Sequence, residues 1–514
     1  MTRQDSLDPS GDWGPFGRPL FDDPSTRALS RVGVVDVGSN SVRMVVFDGA
    51  ARSPAYFFNE KVMCELGSGL SETGYLNPEG RERALAALQR FNAVARAMGL
   101  PGLTVVATAA VRDARDGPAF RAEVQRETGL KIWVIKGKEE ARLSAQGVLL
   151  GWPGSFGLVC DIGGSSMELA EIRDGRVGRR VTSGLGPLKL REIDSRRKRH
   201  DHIKEIIKEL ASHMGPQPDR LFLVGGSWRA IARIDMERRG YPLHVLHEYR
   251  MTKDQVIDTL NYIEASDADA LRQEAGVSGT RMALVPYAAQ VLARLVKTFK
   301  PKDIAISSYG IREGLLYEQM PQKLRDRDPL IEACRFAEAK DARRPGFGRV
   351  LYDFVRPLFE GVDHASLRLI KAACLLHDVS WRAHPDYRAE ACFDYVTRAN
   401  LGGLKHGERV FLGLALMYRY RSSASDDRFA PLIALLDDQD DRDAMLLGRA
   451  MRLGAMLWVP DGQDMPRFDY DPKEGRLVFH LTKTVEDLFS EVPAARLKSL
   501  AQALGAKLDI RLTG

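Results

Sequence analysis

The hydrophobic pattern changes period several times along the chain. VGVVDVGSNSVRMVVFDG, from residue 32, carries β-branched residues on both sides of a Gly/Ser/Asn cluster and predicts two strands joined by a tight turn. GRERALAALQRFNAVARAMG follows with apolar residues at three- and four-residue spacing, the signature of an amphipathic helix. Next comes a strand, LTVVATAAVR, ending in Arg112, then a helical segment PAFRAEVQRETG, a strand KIWVIKG, and a helix opening at KEEARLSAQGVLLGW. The pattern restarts at FGLVCDIGGSSMELAEIRDGRV, again strand, turn and strand, and continues to the strands LFLVGGS and DIAISS. Near residue 325 it becomes almost continuously helical, as in HASLRLIKAACLLHDV and VFLGLALMYRYR. The expected organisation is a flexible arm over 1–29, an α/β domain over 30–150, a second over 151–322, and a mainly helical domain over 323–514.

The two turns, VVDVGSNSVRM and LVCDIGGSSMEL, share a layout: an apolar run, an Asp, one apolar residue, a Gly and small polar residues. A hairpin turn of this composition exposes backbone N–H groups and hydroxyls at one point, and its small side chains let a phosphate reach the main chain. Two such turns facing each other would grip a phosphate chain from both sides. Asp36 and Asp161 end the preceding strands and would repel phosphates unless a cation intervened, so Mg²⁺ is implied. Either turn alone would be an ordinary hairpin connection; the matched pair points to a site.

Composition narrows the class. A chain of 514 residues with 44% apolar content can bury several cores. The net charge of +6 permits a polyanionic partner without requiring one. The densest basic run, SRRKRHDHIK at 195–204, reads either as a solvated helix entrance or as a rim for a phosphate-rich substrate, with Lys297, Lys300 and Lys302 as company. Five scattered cysteines, Cys64, Cys160, Cys334, Cys374 and Cys392, suggest buried thiols in a reducing compartment rather than a disulfide frame. No apolar run reaches the roughly 18 to 20 residues of a membrane span, and the Asp/Pro/Gly-rich first segment lacks a signal-peptide core. A cytoplasmic protein with no nucleic-acid or membrane partner is expected.

With these motifs in view, the paired turns resemble the phosphate motifs of the actin, sugar kinase and heat-shock ATPase superfamily. DVGSNSVRM, TAAVRDARDG, KEEARLSAQGV and DIGGSSMEL, in that order, resemble more specifically the exopolyphosphatase and guanosine pentaphosphate phosphatase family. VGGSWRAIAR and AISSYGIREGLLYE resemble that family's later motifs, so the likeness runs strongly over about residues 31 to 320. It implies two ribonuclease-H-like (actin-like) halves with a cleft between them. The implied reaction is Mg²⁺-dependent release of terminal phosphate from inorganic polyphosphate, or from guanosine pentaphosphate, by a homodimer. Glu140 matches the family's catalytic base and Arg112 its phosphate-binding Arg; Asp161 and Glu168 match carboxylates near the metal or the water, and Asp36 plays the corresponding part in the first turn. Ser39, Asn40, Ser41, Arg43, Gly163, Gly164, Ser165 and Ser166 are the implied phosphate-binding residues. The chain departs from the family where a third Gly and a Thr are usual, with Ser165 and Met167 instead.

Competing readings stay open at this stage. Glu139 and Glu140 also suit a helix N-terminus by charge alone, and Arg112 could simply pair with Asp113 or Asp116. A superfamily kinase would need an adenosine pocket near VGGSWRA, where Trp228 and Arg229 are expected to crowd a purine. A non-catalytic polyphosphate or alarmone sensor would need no base. In the helical domain, CLLHDVSW offers an adjacent His377 and Asp378, resembling an HD phosphohydrolase site, but DARRPGFGRVL upstream supplies no His. The expectation there is an HD-like fold with a degenerate site.

Overall fold

The computed structural model describes residues 31–48, 52–423, 427–459 and 462–513; the expected arm over 1–29 lies outside them. Two compact units meet in sequence at Arg327 and Asp328.

The unit ending at Arg327 contains two sheets. The first is built from β1 (Val32–Val37), β2 (Ser41–Phe47), β3 (Tyr56–Met63), β4 (Leu103–Ala107) and β5 (Ile132–Val134), in the order β3-β2-β1-β4-β5. Strands β1 to β3 are antiparallel neighbours, while β4 and β5 join in parallel. The second sheet holds β6 (Gly157–Ile162), β7 (Met167–Arg173), β8 (Arg176–Ser183), β9 (Arg220–Val224), β10 (Arg250–Met251) and β11 (Asp303–Ser307), in the order β10-β11-β9-β6-β7-β8. Read from β8 to β11, it repeats the first sheet: antiparallel β8-β7-β6, then parallel β9 and β11. The repeated turn is therefore one consequence of a repeated fold.

Burial explains the unbroken apolar runs. Strand β6 is buried along its whole length, and Val34, Val35 and Val37 of β1 are fully buried, as expected for strands covered on both faces. On the first sheet the helix Pro78–Ala97 buries Ala84, Leu88, Phe91 and Ala95, one stripe at helical spacing. Asn77 caps it by accepting from Gly80 N at 2.9 Å.

Two helices carry site residues and pack against each other through glycine. In the helix Gly137–Gly151, a Cβ on Gly147 would collide with Gly310 O; in the helix Ile311–Gln319, a Cβ on Gly314 would collide with Leu143 O. The first of these helices also packs on β6, β7 and β8 of the second sheet. A segment that follows the first sheet in sequence thereby delivers its N-terminal turn to the second hairpin.

The unit from Asp328 onward is mainly helical, and it also contains a three-stranded sheet that the sequence reading missed. Its strands are β12 (Arg467–Asp471), β13 (Arg476–Thr482) and β14 (Lys507–Thr513), antiparallel between β12 and β13 and parallel between β13 and β14. The parallel partner follows the helix Glu491–Leu504, so no hairpin signal marked it in the sequence.

Candidate active site

The two hairpins match residue by residue. In each, the first Gly N–H closes the turn on a Ser carbonyl at 3.0 Å: Gly38 on Ser41, and Gly163 on Ser166. Register places Asp36 opposite Arg43, and Asp161 opposite Glu168. Arg43 and Glu168 thus occupy equivalent positions with opposite charge. One hairpin contributes a carboxylate and a guanidinium to the site, the other two carboxylates.

The turns meet. Ser165 donates to Ser39 Oγ at 3.1 Å, and both hydroxyls are buried. A cleft of about 200 Å³ opens beside this contact. From the sequence-predicted set it gathers Asp36, Ser39, Asn40, Ser41, Arg43, Glu140, Asp161, Gly163, Gly164 and Ser166. Arg112, Ser165 and Glu168 are not among its lining residues; Arg112 is partly exposed and reaches Glu140 from its side.

Arg112 also differs from expectation in its local structure. It lies on a short helix, Ala109–Asp113, after β4, because the apolar run TAAVR continues as a helical turn rather than a strand. Its guanidinium donates to Asp113 Oδ1 at 3.0 Å, Ile135 O at 3.2 Å and Glu140 Oε2 at 3.5 Å. The competing pairing with Asp113 and a contact with Glu140 coexist, while Asp116 pairs with Arg81. Ser165, named as a donor to substrate, gives its hydroxyl to Ser39 instead.

The carboxylates are crowded and poorly solvated. Glu140 is 4% exposed, and burial, then Glu168 and Asp161, push its pKa well above the ordinary carboxylate range. Burial and the Asp161 charge raise Glu168 in the same way. One Glu168 oxygen accepts from Thr182 Oγ1 at 2.9 Å; the Thr182 and Ser166 hydroxyls both favour its charged form without offsetting burial. Asp161 is raised to about 6, mainly by burial, although Ser144 Oγ donates to it. Asp36 is raised by burial against the pull of Arg312 and Arg43.

Opposite these acids stand cations, most of which the sequence reading had not placed: Lys61, Arg229, Arg281 and Arg312 line the cleft with Arg43. Desolvation, then Arg281, Arg43, Arg229 and Arg312, lower Lys61 to about 8; burial and the neighbouring guanidinia lower Arg229 to about 10. Arg312 is held in place by chemistry next to it: Glu313 accepts from Gly310 N at 2.7 Å and from Tyr56 OH at 2.9 Å, fixing the start of its helix. Trp228 does not crowd the cleft as expected. It is fully buried in the second-half core, and only Arg229 of that pair faces the opening.

No three His, Cys, Asp or Glu side chains among the described residues converge tightly enough to cage a metal alone. The donor set nevertheless suits Mg²⁺, which is usually held by one or two carboxylates plus substrate phosphates. Asp36 and Asp161 line the opening, and Glu168 stands opposite Asp161 across the β6–β7 pair.

Comparison with known proteins places the chain in a family. The Ppx/GppA phosphatase family matches residues 45–323, just over half of the chain. This chain belongs to that family. The matched span begins two residues after Arg43, so the first turn lies outside it, while its structural counterpart, the second turn, lies inside. A further match, to the exopolyphosphatase C-terminal family, covers residues 342–511. Among curated proteins, Retrograde regulation protein 2 of Saccharomyces cerevisiae is 25% identical, covering 85% of this chain and 82% of its own. Exopolyphosphatase 1 of Mycobacterium bovis is also 25% identical, covering 59% of this chain and 92% of its own. The crystal structure of an exopolyphosphatase from Cytophaga hutchinsonii shares the fold, with TM-score 0.51 at 21% identity over 56% of this chain and 97% of that one. The α/β unit has the actin-like fold of the Ppx/GppA proteins, and the region beyond it is the helical C-terminal part.

In that C-terminal unit the His377–Asp378 pair has no metal-like surroundings among the described residues. Asp378 is 2% exposed and accepts from Arg343 N at 2.9 Å and from the Arg343 guanidinium, with Arg419 at 3.6 Å. His377 Nδ1 lies 2.8 Å from Cys374 O, and burial, then Arg419, lower its pKa to about 4. A guanidinium from the DARRPGFGRVL segment, where a ligating His was sought, neutralises the carboxylate instead.

Proposed function

We propose that the cleft hydrolyses the terminal phosphoanhydride bond of inorganic polyphosphate and releases orthophosphate, with Mg²⁺ as cofactor. The observation that supports this most directly is Glu140: a buried, charge-crowded carboxylate facing two small-residue turns and a set of cations across one cleft. Binding alone would call for the cations and the turns; a desolvated carboxylate pointed at an anion is unfavourable for affinity and useful for activating water.

In this reading the turn N–H groups and hydroxyls hold the end phosphate, and Arg43, Arg229 and Arg312 spread its charge. Water attacks the terminal phosphorus and gives its proton to Glu140. The new P–O bond forms as the bridging P–O bond breaks, and the shortened chain leaves with the bridging oxygen. Bound near Asp36 and Asp161, Mg²⁺ would supply charge neutralisation for the phosphates. Glu168 and Arg112 act on the charge state of Glu140, the first raising its pKa and the second opposing that. The five cysteines are buried and unbridged, which suits a reducing compartment; we place the protein in the cytoplasm. Among the described residues, no helix is long and apolar enough to cross a membrane.

The match to Retrograde regulation protein 2 along both units favours one second reading, a regulator that binds polyphosphate or a guanosine alarmone without turnover. Orthophosphate release with Mg²⁺ from long-chain polyphosphate, guanosine pentaphosphate and ATP in parallel separates them. Release chiefly from long chains supports the proposal; release only from the guanosine nucleotide moves the function to alarmone turnover; binding without release supports the regulator.

A further inference from the structure

Helix interiors favour alanine over serine, whose hydroxyl competes for backbone hydrogen bonds. The helix Gly137–Gly151 buries Ala141, Ala145 and Gly147, yet it places Ser144 among them with no exposed surface. A hydroxyl buried in this way needs a partner to offset its desolvation. Within a helix the nearest acceptor is the carbonyl one turn back, here that of Glu140. Ser144 forms no such bond among the described residues. Its hydroxyl leaves the helix and donates to Asp161 Oδ2, near the end of β6.

That bond ties two parts of the cleft together. Gly137, Glu140, Ser144 and Gly147 follow one another at helical spacing and share one face. Gly137 lets this face approach β8 so closely that a Cβ there would strike Thr182 Oγ1, the hydroxyl that donates to Glu168. One turn beyond Glu140, Ser144 holds Asp161. The separation of Glu140 and Asp161 is therefore set by one helical turn and one hydrogen bond. The bond also decides which Asp161 oxygen is offered to the cleft. With Oδ2 held, Oδ1 lies beside Gly225, where a Cβ would stand 3.4 Å from it. Gly225 lines the cleft and has φ +120°, a conformation that suits glycine and few other residues, so no side chain covers Oδ1 from that position.

We propose that Ser144 is a positioning residue, which holds Asp161 by Oδ2 so that Oδ1 faces a divalent cation bound together with the substrate phosphates. This rests on the Mg²⁺-dependent reading above and adds the residue that orients the carboxylate and fixes it relative to Glu140. Ser144 does not line the cleft, so it acts through Asp161 alone. Hydrogen-bond partners of metal-ligating side chains typically contribute ten- to hundredfold to metal affinity.

The test is a titration of the full chain with Mn²⁺ followed by electron paramagnetic resonance, with inorganic pyrophosphate present, for wild type, S144A and S144C. The Mg²⁺ dependence of phosphate release is measured on the same samples. Alanine suits the helix, so S144A should fold. It should weaken Mn²⁺ binding about tenfold and raise the Mg²⁺ needed for half-maximal release by a similar factor, with pyrophosphate affinity in the absence of metal unchanged. S144C fills the same space with a thiol that donates only weakly, and it should follow S144A. Unchanged Mn²⁺ affinity in S144A overturns the proposal, and so does a wild type that binds no Mn²⁺. Wild-type affinity in S144C also overturns it, by showing that Ser144 only fills space. The hydrolase reading fails separately: a wild type that releases no phosphate removes the reaction, while a tenfold Mn²⁺ shift in both variants keeps the positioning role.

Discussion

Glu140 ties the chemistry to pH. Burial and the Glu168 and Asp161 charges hold its proton well above the usual carboxylate range, and a general base works only once that proton is lost. If Glu140 is the base proposed above, activity should still be climbing well above the ordinary carboxylate range rather than levelling off near pH 5, and should bend down as Lys61, lowered to about 8, gives up its charge. A pH profile of kcat/KM checks this; K61R should move the upper bend to higher pH, since a guanidinium keeps its proton. A profile flat from pH 5 upward would contradict the account. Ser165 supplies a second prediction. Its hydroxyl donates to Ser39 at the cleft wall. S165A should raise KM about threefold, the scale of one net hydrogen bond, with no further effect in an S39A background. Additive losses in the double variant would mean that Ser165 acts only through packing.

At the scale of elements, the site depends on how closely helices and hairpins approach. Gly314 meets the Leu143 carbonyl backbone to backbone, and Gly147 meets Gly310 in the same way. G314A should destabilise the protein by about 1–3 kcal/mol, because backbone cannot yield as a flexible side chain would, and should lower activity by shifting Glu140 and Arg312, which ride on the two helices. Thermal melting together with kcat tests it; unchanged melting would show that the helices can separate. The same scale shows what was legible in the sequence. DVGSNS and DIGGSS announced themselves, since a Gly/Ser turn after an apolar run is local chemistry, and KEEARL placed Glu140 on its helix. Lys61, Arg281 and Arg312 did not: they lie on an edge strand, a four-residue helix and a helix start, and only the folding of two sheets onto one cleft brings them together. Arg112 fell on a helix rather than a strand because TAAVR satisfies either period. The equivalence of Arg43 and Glu168 appears only once strand register is known.

For the whole molecule, the two units make separate demands. In the unit from Asp328 onward, Asp378 is buried against Arg343 and Arg419; R343A should cost about 3 kcal/mol by leaving that carboxylate half-paired. His377 adds an acid dependence. Its folded pKa is lowered to about 4 from the ordinary 6.5, so the unfolded chain binds the proton first as pH falls. Stability is full above about pH 6.5 and declines towards pH 4, by up to about 3 kcal/mol. H377Q should flatten that decline in pH-dependent melting. The unit ending at Arg327 carries the central claim, that Glu140 turns a phosphate-binding cleft into a hydrolase. The most direct measurement is phosphate release from long-chain polyphosphate by wild type and E140Q, with polyphosphate affinity measured on the same samples. The account predicts release lowered by about a hundredfold or more, the low end of a general base's contribution, with affinity retained or improved. Equal release by both proteins, or loss of binding together with release, would contradict it.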